Sequence, residues 1–237
     1  MTDRVSFRLV TANLWNGGAD PAAFARLVQE VGADVVAVQE LTAAQAEALS
    51  AVLPFGQLEP ASDYRGMGVA LRRPGTVWRL PFPRCGAWIA ELPVDGADGG
   101  TIEVLNVRLV APHVQPTWRT LACRRSQLRA LEAYVDANPR PHRALVGDLN
   151  STPLWPLYRR LARRFRDAAV EAARRNGHRP ARTWGPWPGA PRLLRIDHVL
   201  IAGLATEGAR VLHLPGGDHS ALVVDLALPA GGAHPDD

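Results

Sequence analysis

Apolar, strand-length segments recur along this chain, and five polar elements able to bind a metal or a phosphate sit at their ends. They are Asn13, Glu40, Asp148 with Asn150, Asp197 with His198, and Asp218 with His219, each read as lying just after an apolar strand. If those strands are neighbours in packed sheets, their ends converge on one rim. Loops carried by a rigid β scaffold are where catalytic groups collect.

The pieces between these motifs set the fold class. Segments 67–73, 77–80, 87–93 and 101–109 read as strands punctuated by Pro or Gly, with no helix between them. That excludes strict βαβα alternation and implies largely antiparallel or mixed sheets. Helices are expected over 22–31, where Asp20 caps, Pro21 suits the first turn and Gly32 ends the run. Further helices are expected over 42–52 and 116–137, with a short one beginning at Thr152-Pro153. Residues 95–100 read as a hairpin loop, 171–192 as a long surface loop, and 229–237 as a frayed tail. With 47% hydrophobic residues in 237, one domain spanning 1–237, core about 5–228, is expected.

Charge and cysteine usage narrow the partners. The formal charge is +4 (27 basic against 23 acidic residues), and every basic residue is Arg. Guanidinium forks match phosphate oxygens, so an anionic substrate is favoured. Cys85 and Cys123 have no motif spacing, which argues against a disulfide framework and for a reducing, cytoplasmic setting. Segment 1–10 carries Asp3, Arg4 and Arg8 and lacks the apolar stretch of a signal peptide. No apolar run approaches the roughly 18 residues of a membrane span. Stable membrane insertion is not expected, and no obligate protein partner is implied.

The polar residue types suit Mg²⁺, a hard cation that takes one or two carboxylates plus phosphate oxygens at about 2.1 Å. Glu40 is the best single ligand candidate. Asp148 and Asn150 alternate by two, so both project to one side of an extended segment. There an Asp orients or deprotonates water, and an Asn holds it or a phosphate oxygen without adding charge. His219, beside Asp218, suits donation to a phosphate and stabilisation of its developing charge. Each element also has an ordinary reading. Gly147-Asp148-Leu149-Asn150 and Asp218-His219-Ser220 fit turns, Glu40 fits a helix's first turn, and His198 fits a hydrogen-bonded core histidine. Their ordered recurrence favours the chemical reading.

Taken together, Asn13-Leu14-Trp15-Asn16, Gln39-Glu40, Gly147-Asp148-Leu149-Asn150, Arg195-Ile196-Asp197-His198 and Gly217-Asp218-His219-Ser220 resemble the endonuclease/exonuclease/phosphatase superfamily. The resemblance runs from about residue 5 to 228. It implies an α/β (α+β) fold: a four-layered α/β sandwich of two packed mixed β-sheets flanked by helices. It also implies dependence on Mg²⁺ or Mn²⁺. By matched position, Glu40 resembles the metal ligand with Asn13 its neighbour, and Asp218 joins them as a further ligand candidate. Asp148 resembles the water-activating residue and Asn150 its phosphate-binding companion. Asp218 resembles the partner that orients His219, His219 the phosphate-binding histidine, and Asp197 the Asp of the penultimate strand. At the position where the family carries His, sometimes Tyr, this chain has Arg108. Arg cannot serve as a general acid near neutral pH but can bind phosphate bidentately. Either water or another residue (His113 is one candidate) protonates the leaving group, or Arg108 alters substrate choice, or activity is reduced.

The expected function is therefore Mg²⁺- or Mn²⁺-dependent hydrolysis of a phosphodiester or phosphomonoester by in-line water attack, as a nuclease or a small-molecule or lipid phosphodiesterase. Asn13, Arg108, His198 and Trp184 are the candidate substrate contacts. Trp184, in Arg182-Thr183-Trp184-Gly185-Pro186-Trp187, either stacks on a base or sugar or anchors its loop. Arginines interleaved with aromatics fit nucleic acid. A short chain without added domains also fits a small phosphodiester or a lipid headgroup. The alternative is a catalytically impaired phosphate- or nucleic-acid-binding protein that keeps the fold.

Overall fold

The computed structural model describes residues 6–93, 100–114 and 116–229. The expected loop over 95–100 and tail over 229–237 lie outside them, apart from Gly100 and Pro229. In chain order the elements are β1 (Ser6–Asn13), α1 (Pro21–Val31), β2 (Val35–Gln39), α2 (Ala43–Ser50), β3 (Phe55–Glu59) and β4 (Met67–Leu71). Next come β5 (Thr76–Leu80), β6 (Ala87–Pro93), β7 (Thr101–Val107), α3 (Thr117–Ala137) and β8 (Arg143–Asp148). The last are α4 (Pro156–Leu161), β9 (Arg166–Asp167), α5 (Ala168–Arg175), β10 (Asp197–Ala202), β11 (Ala205–His213) and β12 (Ser220–Ala227).

These strands form two six-stranded sheets, ordered β11-β12-β1-β2-β4-β3 and β5-β6-β7-β8-β10-β9. Both are mixed. β1–β2 and β7–β8 pair in parallel, and the remaining pairs are antiparallel. Each parallel pair is joined by a chain segment containing a helix, as a parallel crossover requires.

Every residue of β2 is buried, because the strand is covered on both faces. Val35 and Ala37 point into the cluster between the sheets, with Leu9, Val69 and Val224 from the first sheet and Trp88, Val104, Val146 and Val199 from the second. Val36 and Val38 point the other way, against Phe24 and Val28 of α1 and Leu49 of α2. A third cluster joins the outer face of the second sheet to Leu128 and Leu131 of α3 and Tyr158 and Leu161 of α4. Four layers result, as expected. Each fully buried Val or Leu contributes roughly 1.5–3 kcal/mol, so an unbroken apolar run specifies a two-faced central strand. At α1 the Asp20 carboxylate accepts the Ala23 N–H at 2.6 Å, and Gly32 closes the helix at φ 65°.

Three departures from the sequence reading have physical causes. β3 and β11 are edge strands whose exposed, polar or glycine-containing residues hide their period. The expected loop over 171–192 begins as helix, since α5 runs to Arg175 with Asp167 accepting the Val170 N–H. Ala168 and Ala169 bury against the inter-sheet cluster, and Ala172 and Ala173 are buried as well, although the segment is Arg-rich. β8 and β10 carry their strand geometry into the motifs, so Asp148 and Asp197 are themselves strand residues, paired in register.

Candidate functional site

The strand ends converge on one rim, and side chains from the two sheets meet across the gap. Asn13 ends β1 and sits in register with Gln39, so Glu40 emerges beside it. On the facing sheet Asp148 ends β8, Asp197 begins β10, and Arg108 follows β7. His219 precedes β12 on the first sheet. Beneath them Gln39 donates to Asn106 at 2.7 Å, and Asn106 donates to the carbonyls of Val38 and Gly68 at 2.9 and 2.8 Å. This buried amide bridge fixes the first sheet against the second directly below the site.

Two local backbone features aim the side chains. Glu40 and Asn150 both adopt left-handed conformations, at φ 55° and 45°. Asn tolerates that region; for Glu it costs on the order of 1 kcal/mol, a cost that concentrates at functional positions. Gly147 has φ 123°, and a Cβ there would lie 2.1 Å from the Val107 carbonyl oxygen. Only glycine lets β8 run that close to the end of β7, which brings Asp148 beside Arg108.

Asp148 is the hub. Its Oδ2 accepts from the side-chain amides of Asn13 at 3.1 Å and Asn150 at 2.9 Å, and its Oδ1 accepts the Asn150 backbone N–H at 2.8 Å. Burial, and next the charge of Asp197, push its carboxyl up to about 6, against the pull of His219 and Arg108. Asn150 also donates to the Leu109 carbonyl at 2.9 Å, which locks its amide.

His219 Nδ1 lies 2.8 Å from Asp197 Oδ2. Burial alone would hold the imidazole down. The carboxylates of Asp197, then Asp148 and Asp218, outweigh it and raise the group to about 9. This corrects one expectation: the residue that orients His219 is Asp197. Asp218 instead accepts the indole N–H of Trp184 on its Oδ2, at 3.1 Å. Trp184 thus anchors its loop to the site, and it also bridges to His219 through the backbone.

Glu40 accepts from the Asn13 amide at 3.1 Å and from the Arg108 guanidinium on the same oxygen, Oε1. As placed, Asn13 turns its NH₂ to both carboxylates while its oxygen accepts the Trp15 N–H at 3.0 Å. It therefore holds the carboxylates and presents no oxygen of its own between them. Arg108 also contacts the Cys85 sulfur at 3.7 Å. His113 is exposed on the loop after β7.

His198 is not brought to this cluster. It alternates to the opposite face of β10, fully buried, with Nε2 at 2.8 Å from the Ser151 carbonyl and Nδ1 at 3.1 Å from Arg195. Arg195 in turn donates to Asp167 at 2.6 Å.

Two arginines unmarked by any motif complete the frame. Arg192 donates to the carbonyls of Asp218, Gly217 and His219 at 2.8, 3.1 and 3.0 Å, clamping the loop that carries the histidine. Arg124, buried on α3, reaches the Asn150 carbonyl at 3.1 Å and so supports the Asp148–Asn150 turn. The sequence offers Arg124 only as one of several arginines able to meet phosphate, and Arg192 only through the excess of Arg.

The donor set fits a divalent cation. Glu40 Oε2, Asp197 Oδ1 and Asp218 Oδ1 are buried carboxylate oxygens with no hydrogen-bond partner. Such acceptors are costly unless a cation or donor meets them. One ligand atom from each of Asp148, Asp197 and His219 also lies within 4.8 Å of the others, the one such trio among the described residues. Carboxylate oxygens with an imidazole nitrogen beside them are groups able to hold a divalent cation.

Comparison with known proteins follows the same line. A model of the Endonuclease/Exonuclease/phosphatase family matches residues 10–219. No curated protein matches the chain. Among solved structures, an endonuclease/exonuclease/phosphatase family protein from Bacteroides thetaiotaomicron is similar, with TM-score 0.74 and 14% identity over 96% of this chain and 100% of that one. The catalytic domain of human Nocturnin with bound sulfate is similar at TM-score 0.67 and 17% identity, over 95% of this chain and 96% of that one. D. rerio TDP2 complexed with a single-strand DNA product gives TM-score 0.70 and 14% identity, over 93% of this chain and 98% of that one. At these identities the likeness is one of fold.

Proposed function

The chain belongs to the Endonuclease/Exonuclease/phosphatase family, and we propose that it hydrolyses a phosphodiester or phosphomonoester by in-line attack of water, using Mg²⁺ or Mn²⁺. The observation that carries this reading is the bonding of Asp148. A buried carboxylate raised to about 6 is fixed by two amides and stands beside a histidine raised to about 9. A carboxylate raised toward pH 7 suits acceptance of a proton, and an imidazole held protonated above pH 7 suits stabilisation of developing negative charge.

Glu40, with Asp148, Asp197 or Asp218, would hold the cation. When bound, it supplies charge neutralisation and polarisation of the phosphate. Asp148 accepts the proton of the attacking water. Asn150 keeps that carboxylate aimed, with its two amide N–H groups committed to Asp148 and to the Leu109 carbonyl. His219, held by Asp197, donates to a non-bridging phosphate oxygen and stabilises the charge that develops there. Arg108 offers guanidinium N–H groups to the same phosphate, and Asn13 keeps Glu40 and Asp148 in register. Trp184 borders the site, with His198 supporting the chain behind Asp148.

For substrate, the bound sulfate of Nocturnin and the single-strand DNA product of TDP2 favour an oxyanion pocket that accepts nucleic-acid phosphates. A small or lipid phosphodiester is the competing substrate class. No helix among the described residues is long and apolar enough to cross a membrane. Two free cysteines, Cys85 and Cys123, support a reducing cytoplasmic setting. We read the whole chain as one catalytic domain without an obligate partner.

A second reading, a phosphate- or nucleic-acid-binding protein without turnover, is favoured by the Arg108–Glu40 pair. Incubation with bis-p-nitrophenyl phosphate and Mn²⁺ or Mg²⁺ decides. Release of nitrophenol that a chelator stops supports hydrolysis. Absence of release at high protein concentration, with single-stranded DNA, RNA and sphingomyelin also left intact, supports the binder.

A further inference from the structure

The Arg108–Glu40 contact has a geometry that neither partner satisfies alone. Both side chains are largely withdrawn from water, at 12% and 7% exposure. The guanidinium meets Glu40 only through Oε1, leaving Oε2 without a hydrogen-bond partner. Arg108 Nε is likewise buried without a partner, and Nη1 meets only the Cys85 sulfur, a weak acceptor, at 3.7 Å. A spare buried acceptor and a spare buried donor therefore lie within one ion pair. The acceptor suits a cation, and the donor suits an anion.

Burial makes this pair different in kind from a surface salt bridge. In a water-poor site a charge pair at contact distance interacts far more strongly than at the surface, and a second positive charge brought to the same carboxylate is repelled as strongly. Asn13 cannot relieve that repulsion, because its amide is neutral and already divided between Glu40 and Asp148.

We propose that Arg108 is the resident counter-ion of Glu40. It occupies one oxygen of the carboxylate the divalent cation needs, and it shifts metal binding to higher concentration than a site with a neutral residue at that position. This inference rests on the hydrolytic reading of the same site and deepens it: the guanidinium and the metal compete for Glu40. A substrate phosphate, by offering Arg108 Nε an acceptor, favours the arrangement in which Glu40 turns to the metal.

The test is Mn²⁺ binding by isothermal titration calorimetry to metal-free protein, without substrate, for wild type, Arg108→Gln and Arg108→Lys. Circular dichroism melts check that each variant folds. The expected result is that Arg108→Gln binds Mn²⁺ roughly tenfold more tightly than wild type. Arg108→Lys, which keeps the charge and loses the fork, should stay near wild type. The metal-free Arg108→Gln protein should melt below wild type, and saturating Mn²⁺ should restore it. Equal or weaker Mn²⁺ affinity in Arg108→Gln overturns the competition and leaves the hydrolytic reading standing. Failure of all three proteins to bind Mn²⁺ at millimolar concentration, with the fold intact, overturns both. If Arg108→Gln does not fold, the Arg108→Lys pair carries the test, since a lysine that binds Mn²⁺ tenfold more tightly than arginine contradicts a charge-based competition.

Discussion

His219 Nδ1 on the first sheet lies 2.8 Å from Asp197 Oδ2 on the second, so the hydrogen bond that orients the site's histidine spans the gap between the two sheets. Asn13 with Asp148 and Glu40 with Arg108 cross the same gap. The site is assembled by the packing of the sheets. A change that shifts one sheet against the other should disturb all three contacts together.

Asp197→Asn keeps the shape and removes the charge that fixes His219. Titration of the imidazole by NMR in chelator should show its midpoint falling from about 9 to near or below 6.5. Turnover should fall about 10²–10⁴-fold. Asp218→Asn should move the midpoint far less, because Asp218 bonds to Trp184.

The raised histidine also makes a stability prediction. A group whose pKa is higher folded than unfolded stabilises fully below its unfolded value and loses that contribution as pH passes its folded value. Metal-free protein should therefore lose melting temperature between about pH 6.5 and pH 9 through His219. His219→Gln should show a flatter profile across that window in differential scanning calorimetry.

Asn13→Ala removes the one amide shared by Glu40 and Asp148 and leaves two buried carboxylates with fewer donors. In chelator, urea unfolding should show a loss of about 2–4 kcal/mol. Mn²⁺ should recover part of that loss, because a cation supplies the positive charge the amide partly provided.

Gly147→Ala forces a side chain into left-handed backbone against the Val107 carbonyl. The cost should exceed about 3 kcal/mol, seen as a melting temperature lower by roughly 6 °C or more.

Much of this was legible in the sequence, for definable reasons. Unbroken apolar runs such as Val35–Val38 mark strands covered on both faces, and those runs end where Asn13, Glu40 and Asp148 emerge. β11 was not legible. An edge strand needs no apolar alternation, and Gly208 sits at its register shift. The partner of His219 was also hidden: Asp218 is adjacent in sequence, yet the strand turn sends its carboxylate to Trp184. His198 and Asp197 stand side by side in sequence, but strand alternation sends one behind the site and the other into it. Arg192 and Arg124 act mainly through backbone carbonyls, with Ser220 and Ser151 as their side-chain acceptors, and carbonyls leave no signature in residue type.

If Asp148 activates the attacking water, Asp148→Asn removes that function while keeping the side chain's shape. The measurement is single-turnover hydrolysis of bis-p-nitrophenyl phosphate at saturating Mn²⁺, with circular dichroism confirming the fold. The expected rate is lower by roughly 10³-fold in a folded protein that still binds Mn²⁺. Wild-type rates from folded Asp148→Asn protein would contradict that function.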